Sequence, residues 1–210
     1  FPIGVIVALL LVADRPIQGQ DKKVGESAAA ATKVAPVAVE GGVVKLGPKN
    51  TSIEFVGTHV GAEPKPRLGG FEKFSGVIRV DGEQVKSLEV EFDVDSLWTE
   101  FAGLTKHLKA ADFFDVKSYP KAAFKSSQAI SQGDGKWLVK GELTLHGTTS
   151  PLEFEAEAKF DRGLILTTKF QLDRTEFGMD KMTQGVEKLV SLSVVVGRPT
   201  QPKNKPRPKR

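Results

Sequence analysis

Three histidines, His59, His107 and His146, are the side chains of this sequence best suited to bind a metal. Zinc takes up to three or four such ligands, but these three are far apart and match no compact ligand motif. Each is expected instead to hydrogen-bond a loop or a helical segment. His146 falls in the turn Leu145-His146-Gly147-Thr148, and His107 stands beside Leu108. Asp95, Asp112 and Asp115 would be the material for a carboxylate pair. However, Asp95 ends a strand pattern, and the other two flank Phe113-Phe114 where turns call for aspartate. Arg174 ends another strand pattern before Phe177-Gly178; buried, it needs carboxylate or carbonyl partners, or the anionic head of a ligand. Thr148-Thr149-Ser150 is rich in hydroxyls but carries no Gly-x-Ser-x-Gly elbow. No phosphate loop or dinucleotide fingerprint occurs. The chain has no cysteine, which excludes thiol nucleophiles, disulfides and cysteine-ligated metals. The expectation is no catalytic set, no metal site and no cofactor.

The elements that position these residues are mostly strands. Leu88, Val90, Phe92 and Val94 alternate with Glu89, Glu91, Asp93 and Asp95. A strand with one dry and one wet face belongs to an antiparallel sheet. The same period runs through Ile53 and Phe55, Gly76 to Val80, Ala122 to Ser126, Trp137 to Leu145, Leu152 to Phe160, Leu164 to Arg174, and about Glu187 to Val196. Asp81-Gly82 and Asp161-Arg162-Gly163 supply turns. Several short strands with regular turns make an all-β sandwich or barrel. One stretch breaks the period. Leu104, Leu108 and Ala111 fall at helical spacing between Thr99 and Ala111, with Lys106 and Lys109 turned outward and Ser96 or Thr99 as a cap. A helical insertion in a β protein fits a lid or plug across one mouth of a barrel.

Both ends read as dispensable for folding. Residues 1–20 open with an apolar run of signal-peptide length, too short to span a bilayer comfortably. The chain starts at Phe1, so a basic region is expected upstream, and no clean Ala-x-Ala site follows. Export to the periplasm or beyond is the expectation, with a retained membrane anchor as the alternative. Residues 21–42 are small and polar and read as a flexible linker. Residues 198–210 are basic, Pro-rich and expected to be disordered, with weak contact to anionic material as one use. Arg198, Lys203, Lys205, Arg207, Lys209 and Arg210 are unopposed there, so the rest of this +4 chain carries −2. A body so near neutral gives no ground to expect a nucleic-acid-binding domain.

Ordered motifs then give a resemblance. Ser52-Ile53-Glu54-Phe55 with His59 is followed by Gly70-Phe71, Phe74-Ser75-Gly76, and Asp95-Ser96-Leu97 with Thr99. Next come the run Leu104 to Val116, Tyr119-Pro120, Phe124, Gly141-Glu142-Leu143-Thr144-Leu145-His146-Gly147, and Arg174-Thr175-Glu176-Phe177-Gly178. In this order they resemble the YceI-like proteins over residues 43–197. The resemblance implies an extended lipocalin-like antiparallel β-barrel with one short helical insertion, holding a polyisoprenoid or isoprenoid-quinone tail inside.

The chain has 13 Phe but one Tyr and two Trp. Patterning alone leaves open whether these fill the barrel or line a tunnel; the resemblance favours the tunnel. Its expected lining is Phe55, Phe74, Ile78, Val90, Phe92, Leu108, Phe124, Phe154, Ala156 and Phe170, with His59, His107 and Arg174 toward the mouth and head group. A non-enzymatic carrier or store for such a lipid is the leading expectation. Its rivals are a filled barrel acting as an interaction module through the basic tail, and an enzyme acting on a prenyl head group. Dimerisation through barrel edges would give a homodimer, and no residue decides it.

Overall fold

The clearest alternation in the sequence forms a half-wet strand. Leu88 and Phe92 are buried and Val90 is half-buried, while Glu91 on the opposite face is exposed. It stops at Asp93, whose carboxylate accepts from the Asp95 N–H at 3.1 Å and turns the chain into a short 3-10 segment, Val94–Ser96. The computed structural model describes residues 34–199. The apolar start (1–20), the first part of the polar stretch (21–33) and the basic tail from residue 200 onward lie outside the described residues.

Among the described residues the order begins with β1 (Val34–Ala35), β2 (Val43–Leu46), β3 (Thr51–His59), β4 (Lys65–Phe71), β5 (Phe74–Asp81) and β6 (Gln84–Asp93). It continues with β7 (Leu97–Thr99), α1 (Ala102–Leu108), β8 (Lys121–Gly133), β9 (Lys136–Leu145) and β10 (Thr148–Phe160). β11 (Leu164–Asp173), β12 (Leu189–Val196) and β13 (Arg198–Pro199) complete it. Eleven strands form one antiparallel sheet in the order β2-β5-β6-β8-β9-β10-β11-β12-β3-β4-β7. The sheet coils on itself as a lipocalin-type barrel, and its two margins are joined by chain rather than by a full ladder. Three short connections cross from one margin to the other: residues 47–50 from β2 to β3, Glu72-Lys73 from β4 to β5, and Val94–Ser96 from β6 to β7. Ser96 ties this seam. Its hydroxyl accepts from the Lys73 N–H at 2.9 Å and donates to the Asp93 carbonyl at 2.6 Å, so it is not the helix cap that its position suggested.

The register places His59 and Lys65 (β3 and β4), Arg174 after β11 and the start of β12 at one end of the barrel. The β10–β11 turn, the start of β3 and the end of β12 lie at the other. That second end is closed by packing. Val44, Val85, Trp137, Val139 and Leu164 are all buried there.

Residues 34–42 are not the free linker their composition implied. Val34–Ala35 pairs with Arg198–Pro199, and Val37 exchanges backbone hydrogen bonds with Leu164 at 2.9 and 2.8 Å and is buried. The strap fits because Gly163 has no Cβ; one there would collide with the Val37 carbonyl, and φ is +149°. The helix is also shorter than its spacing implied. It spans Ala102–Leu108 after Phe101, which makes no side-chain cap.

Candidate functional site

Between the packed end and α1 the barrel is hollow. The cavity is about 210 Å³, and its surface is carbon almost throughout. It touches β3 from Thr51 to His59, a path of roughly 26 Å along the strand at 3.3 Å per residue. The shape is therefore a long slot rather than a round chamber.

Two groups of phenylalanines form its walls. Phe55, Phe71, Phe92 and Phe114 straddle the seam, with the Phe71 and Phe92 ring centres 4.8 Å apart and Phe55 and Phe71 6.0 Å apart. Phe124, Phe154 and Phe170 stand on β8, β10 and β11; Phe154 and Phe170 are stacked at 4.8 Å and Phe124 lies 5.4 Å from Phe154. Leu192 and Val194 of β12 also line the cavity. Phe55 takes its place because its register partner is Gly69; a Cβ at that glycine would collide with the Phe55 ring. An aromatic ring laid over a cross-strand glycine is a known way to bind an otherwise weak strand pair.

α1 roofs one end, and none of its residues is fully buried. Leu104 and Leu108 face the hollow, which leaves them half-buried. Two hydroxyls fix the helix to β7. The Thr105 Oγ1 accepts from the Thr99 N–H at 2.9 Å, and the Thr99 Oγ1 donates to the Phe101 carbonyl at 2.8 Å. Lys109 holds the far side through the Asp95 carboxylate at 3.2 Å and the Asp95 carbonyl.

The mouth collects most of the polar side chains. His59 and His107 are exposed and line it, and the His107 ring meets Phe113 edge-on at 5.1 Å. Arg174 is buried, with 4% of its surface exposed, and lines the cavity. Its guanidinium donates to the carbonyls of Met179, Lys181 (3.0 Å), Val186 (3.1 Å) and Glu187 (3.1 Å), and its carbon lies 5.8 Å from the centre of the Phe113 ring. Burial pulls its pKa below the ordinary arginine value, with Asp173 and Asp180 acting in the opposite sense. The neighbouring Asp173 carboxylate accepts from the hydroxyl (2.6 Å) and N–H (2.8 Å) of Thr175, which holds its pKa below the usual range. Arg174 thus organises the loop 179–187 that completes the mouth.

Of the expected lining, Phe55, Ile78, Val90, Phe92, Leu108, Phe124, Phe154 and Phe170 touch the cavity. Phe74 and Ala156 do not. Phe74 begins β5 beside the seam and is buried outside the lining, while Ala156 pairs with Trp137, whose ring fills the packed end. His146 sits away from the cavity with φ +50°. It pins its turn through Nδ1 to the Phe177 carbonyl at 3.0 Å, and its ring lies tilted against Tyr119 with the ring centres 4.5 Å apart. Asp115 also has positive φ, and its carbonyl closes the turn to Ser118 and Tyr119. Among the described residues no His, Asp and Glu group is placed to hold a metal. The lining that sequence reading left out includes Phe71, Phe113, Phe114, Arg67 and Met182; Phe113-Phe114 were visible as a pair but carried no alternation to aim them.

Residues 45–197 match the model of the YceI-like domain. A UPF0312 protein of Vibrio cholerae serotype O1 is 38% identical over 110 residues, which are 51% of this chain and 57% of that protein. The chain thus spans about half the length of the curated relatives it matches. BcnA of Burkholderia cenocepacia superposes with a TM-score of 0.63 at 24% identity, over 70% of this chain and 94% of that one. A polyisoprenoid binding domain of Saccharophagus degradans superposes at 0.57 and 12% identity, over 74% and 96%.

Proposed function

Because the chain belongs to the YceI-like family, we propose that it binds the tail of a polyisoprenoid lipid, an isoprenoid quinone included, inside the barrel and carries or stores it. The observation that supports this most is the slot itself: long, lined with eight phenylalanines, carbon-walled and roofed by a half-buried helix. Burying one five-carbon unit gains about 3–4 kcal/mol gross, at about 0.8 kcal/mol per CH₂-sized group. A few units suffice for firm binding after the cost of ordering the chain. Walls of rings and methyls carry no directional demand, so selection falls on length and bulk. The structural solution of the Saccharophagus degradans domain, described as polyisoprenoid-binding, agrees with this reading.

The proposed role is binding rather than catalysis. Arg174, the one buried cation of the wall, already satisfies its donors on backbone carbonyls. The proposal places the protein outside the cytoplasm, with residues 1–20 as export signal or anchor and the basic tail as a weak contact for anionic material.

A substitution that fills the slot tests the reading. Val194→Trp, toward the packed end of the slot opposite Ile53, should lower affinity for a fluorescent prenyl probe about tenfold or more while keeping the fold, since the half-buried Val194 side chain lines the hollow. Equal probe binding by Val194→Trp and the parent, with both folded, would overturn the assigned site.

A further inference from the structure

The mouth end carries exposed apolar tips that the slot does not explain. Among the described residues five large hydrophobics are exposed, and three of them stand at this end: Val60 (45%), Met182 (48%) and Leu189 (50%). They come from the β3–β4 hairpin tip, the loop after Arg174 and the start of β12. These segments are tied together. The Val60 N–H donates to the Gly185 carbonyl at 3.0 Å, the Glu187 N–H to the Thr58 carbonyl at 2.9 Å, and the Gly185 and Val186 N–H groups to the Met182 carbonyl, both at 2.9 Å. Met182 keeps a left-handed backbone, φ +55°, and its side chain both lines the cavity and reaches solvent. Apolar lining therefore runs out of the slot onto the rim without a break.

Cations surround these tips. Lys65 and Arg67 lie on β4, Lys106 on α1, and Lys181 and Lys188 on the loop; Glu63, Asp180, Glu187 and Glu100, whose carboxylate accepts from the Leu68 N–H at 3.1 Å, oppose them, leaving an excess of one positive charge among these residues. Lys106, Lys181 and Lys188 are exposed. The rim is thus a few apolar points in a mildly positive collar.

We infer that this rim seats the barrel mouth on a phospholipid bilayer with anionic headgroups, so that a prenyl chain passes between membrane and slot without crossing water. The inference rests on the lipid-binding reading above. A protein partner or a second copy would need a contiguous apolar area, whereas isolated tips with flanking lysines are what an interfacial lipid contact uses. The exposed hydrophobics at the other end, Val39 and Ile130, adjoin the packed floor and open onto no cavity.

The cysteine-free chain permits a direct test. Single thiols at Val60→Cys and Ile130→Cys, in the full chain, carry an environment-sensitive dye. The probe is a vesicle of phosphatidylcholine and phosphatidylglycerol at roughly 7:3, with a lipid-borne quencher. The dye at position 60 should shift to the blue and be quenched about fivefold more strongly than the dye at 130. Equal responses at both positions, or none at either, would overturn the docking. In parallel, Val60→Glu with Leu189→Glu, neither of which lines the slot, should slow uptake of a prenyl probe from vesicles about fivefold or more and leave its uptake from detergent unchanged. Unchanged uptake from vesicles refutes the docking alone. Failure of the parent to take up the probe from detergent refutes the lipid-binding reading beneath it.

Discussion

Arg174 sets the terms at the residue scale. A guanidinium in the wall of a carbon-lined slot would be very costly if left unpaired. Four backbone carbonyls from Met179 to Glu187 answer it, and the Phe113 face lies near its charge. The fork geometry matters because one ammonium cannot reach carbonyls spread over the nine residues from Met179 to Glu187. Arg174→Lys should therefore cost about 2–4 kcal/mol in urea unfolding, from charge-assisted hydrogen bonds lost and carbonyls left dry. It should also loosen the mouth. A variant of unchanged stability that has lost only its affinity for a lipid with an anionic head would show instead that the arginine serves the ligand. The sequence exposed the choice between carbonyls and a ligand head group but not its outcome, because the carbonyls belong to a loop with no periodic pattern.

At the scale of elements the strap is the instructive case. Val37 is docked by a backbone bridge to Leu164 and by burial of its side chain against the packed end. Val37→Asp should lower unfolding stability by about 2–3 kcal/mol, since it exchanges a buried apolar group for a carboxylate. A change below about 0.5 kcal/mol, the scale of ordinary surface substitutions, would mean that the strap is not docked in solution. Composition pointed the other way, because small residues mark a tether whether or not a distant glycine makes room for them. Similar reasons hid β4 and the second half of β8. β4 contains Gly69-Gly70, which reads as loop; its ladder is completed by the rings of Phe55 and Trp98 lying over the glycines. The second half of β8 loses its alternation at a register shift between Ser126 and Gln128. By contrast β6, β9, β10 and β11 announced themselves, because each has one wet face and one dry face over most of its length.

At the scale of the whole molecule the question that patterning left open was whether the barrel is filled or hollow. It is packed at one end and hollow from there to α1. Inward positions are apolar in either case, so the period of two could not separate them. The difference lies in how far facing side chains reach across the middle. Trp137 and the valines around it close the floor, while the two phenylalanine walls stand apart above it. On the proposed reading a chain enters that slot tail-first and leaves its head group beside His59 and His107, which line the cavity. The measurement that bears most directly on this account is native mass spectrometry, with lipid extraction, of the protein purified from its own host. The account predicts a retained lipid with a prenyl tail, released on extraction. Purification with the slot holding a lipid of another class, such as a straight acyl chain, or with no lipid even when prenyl lipid is supplied in excess, would contradict it.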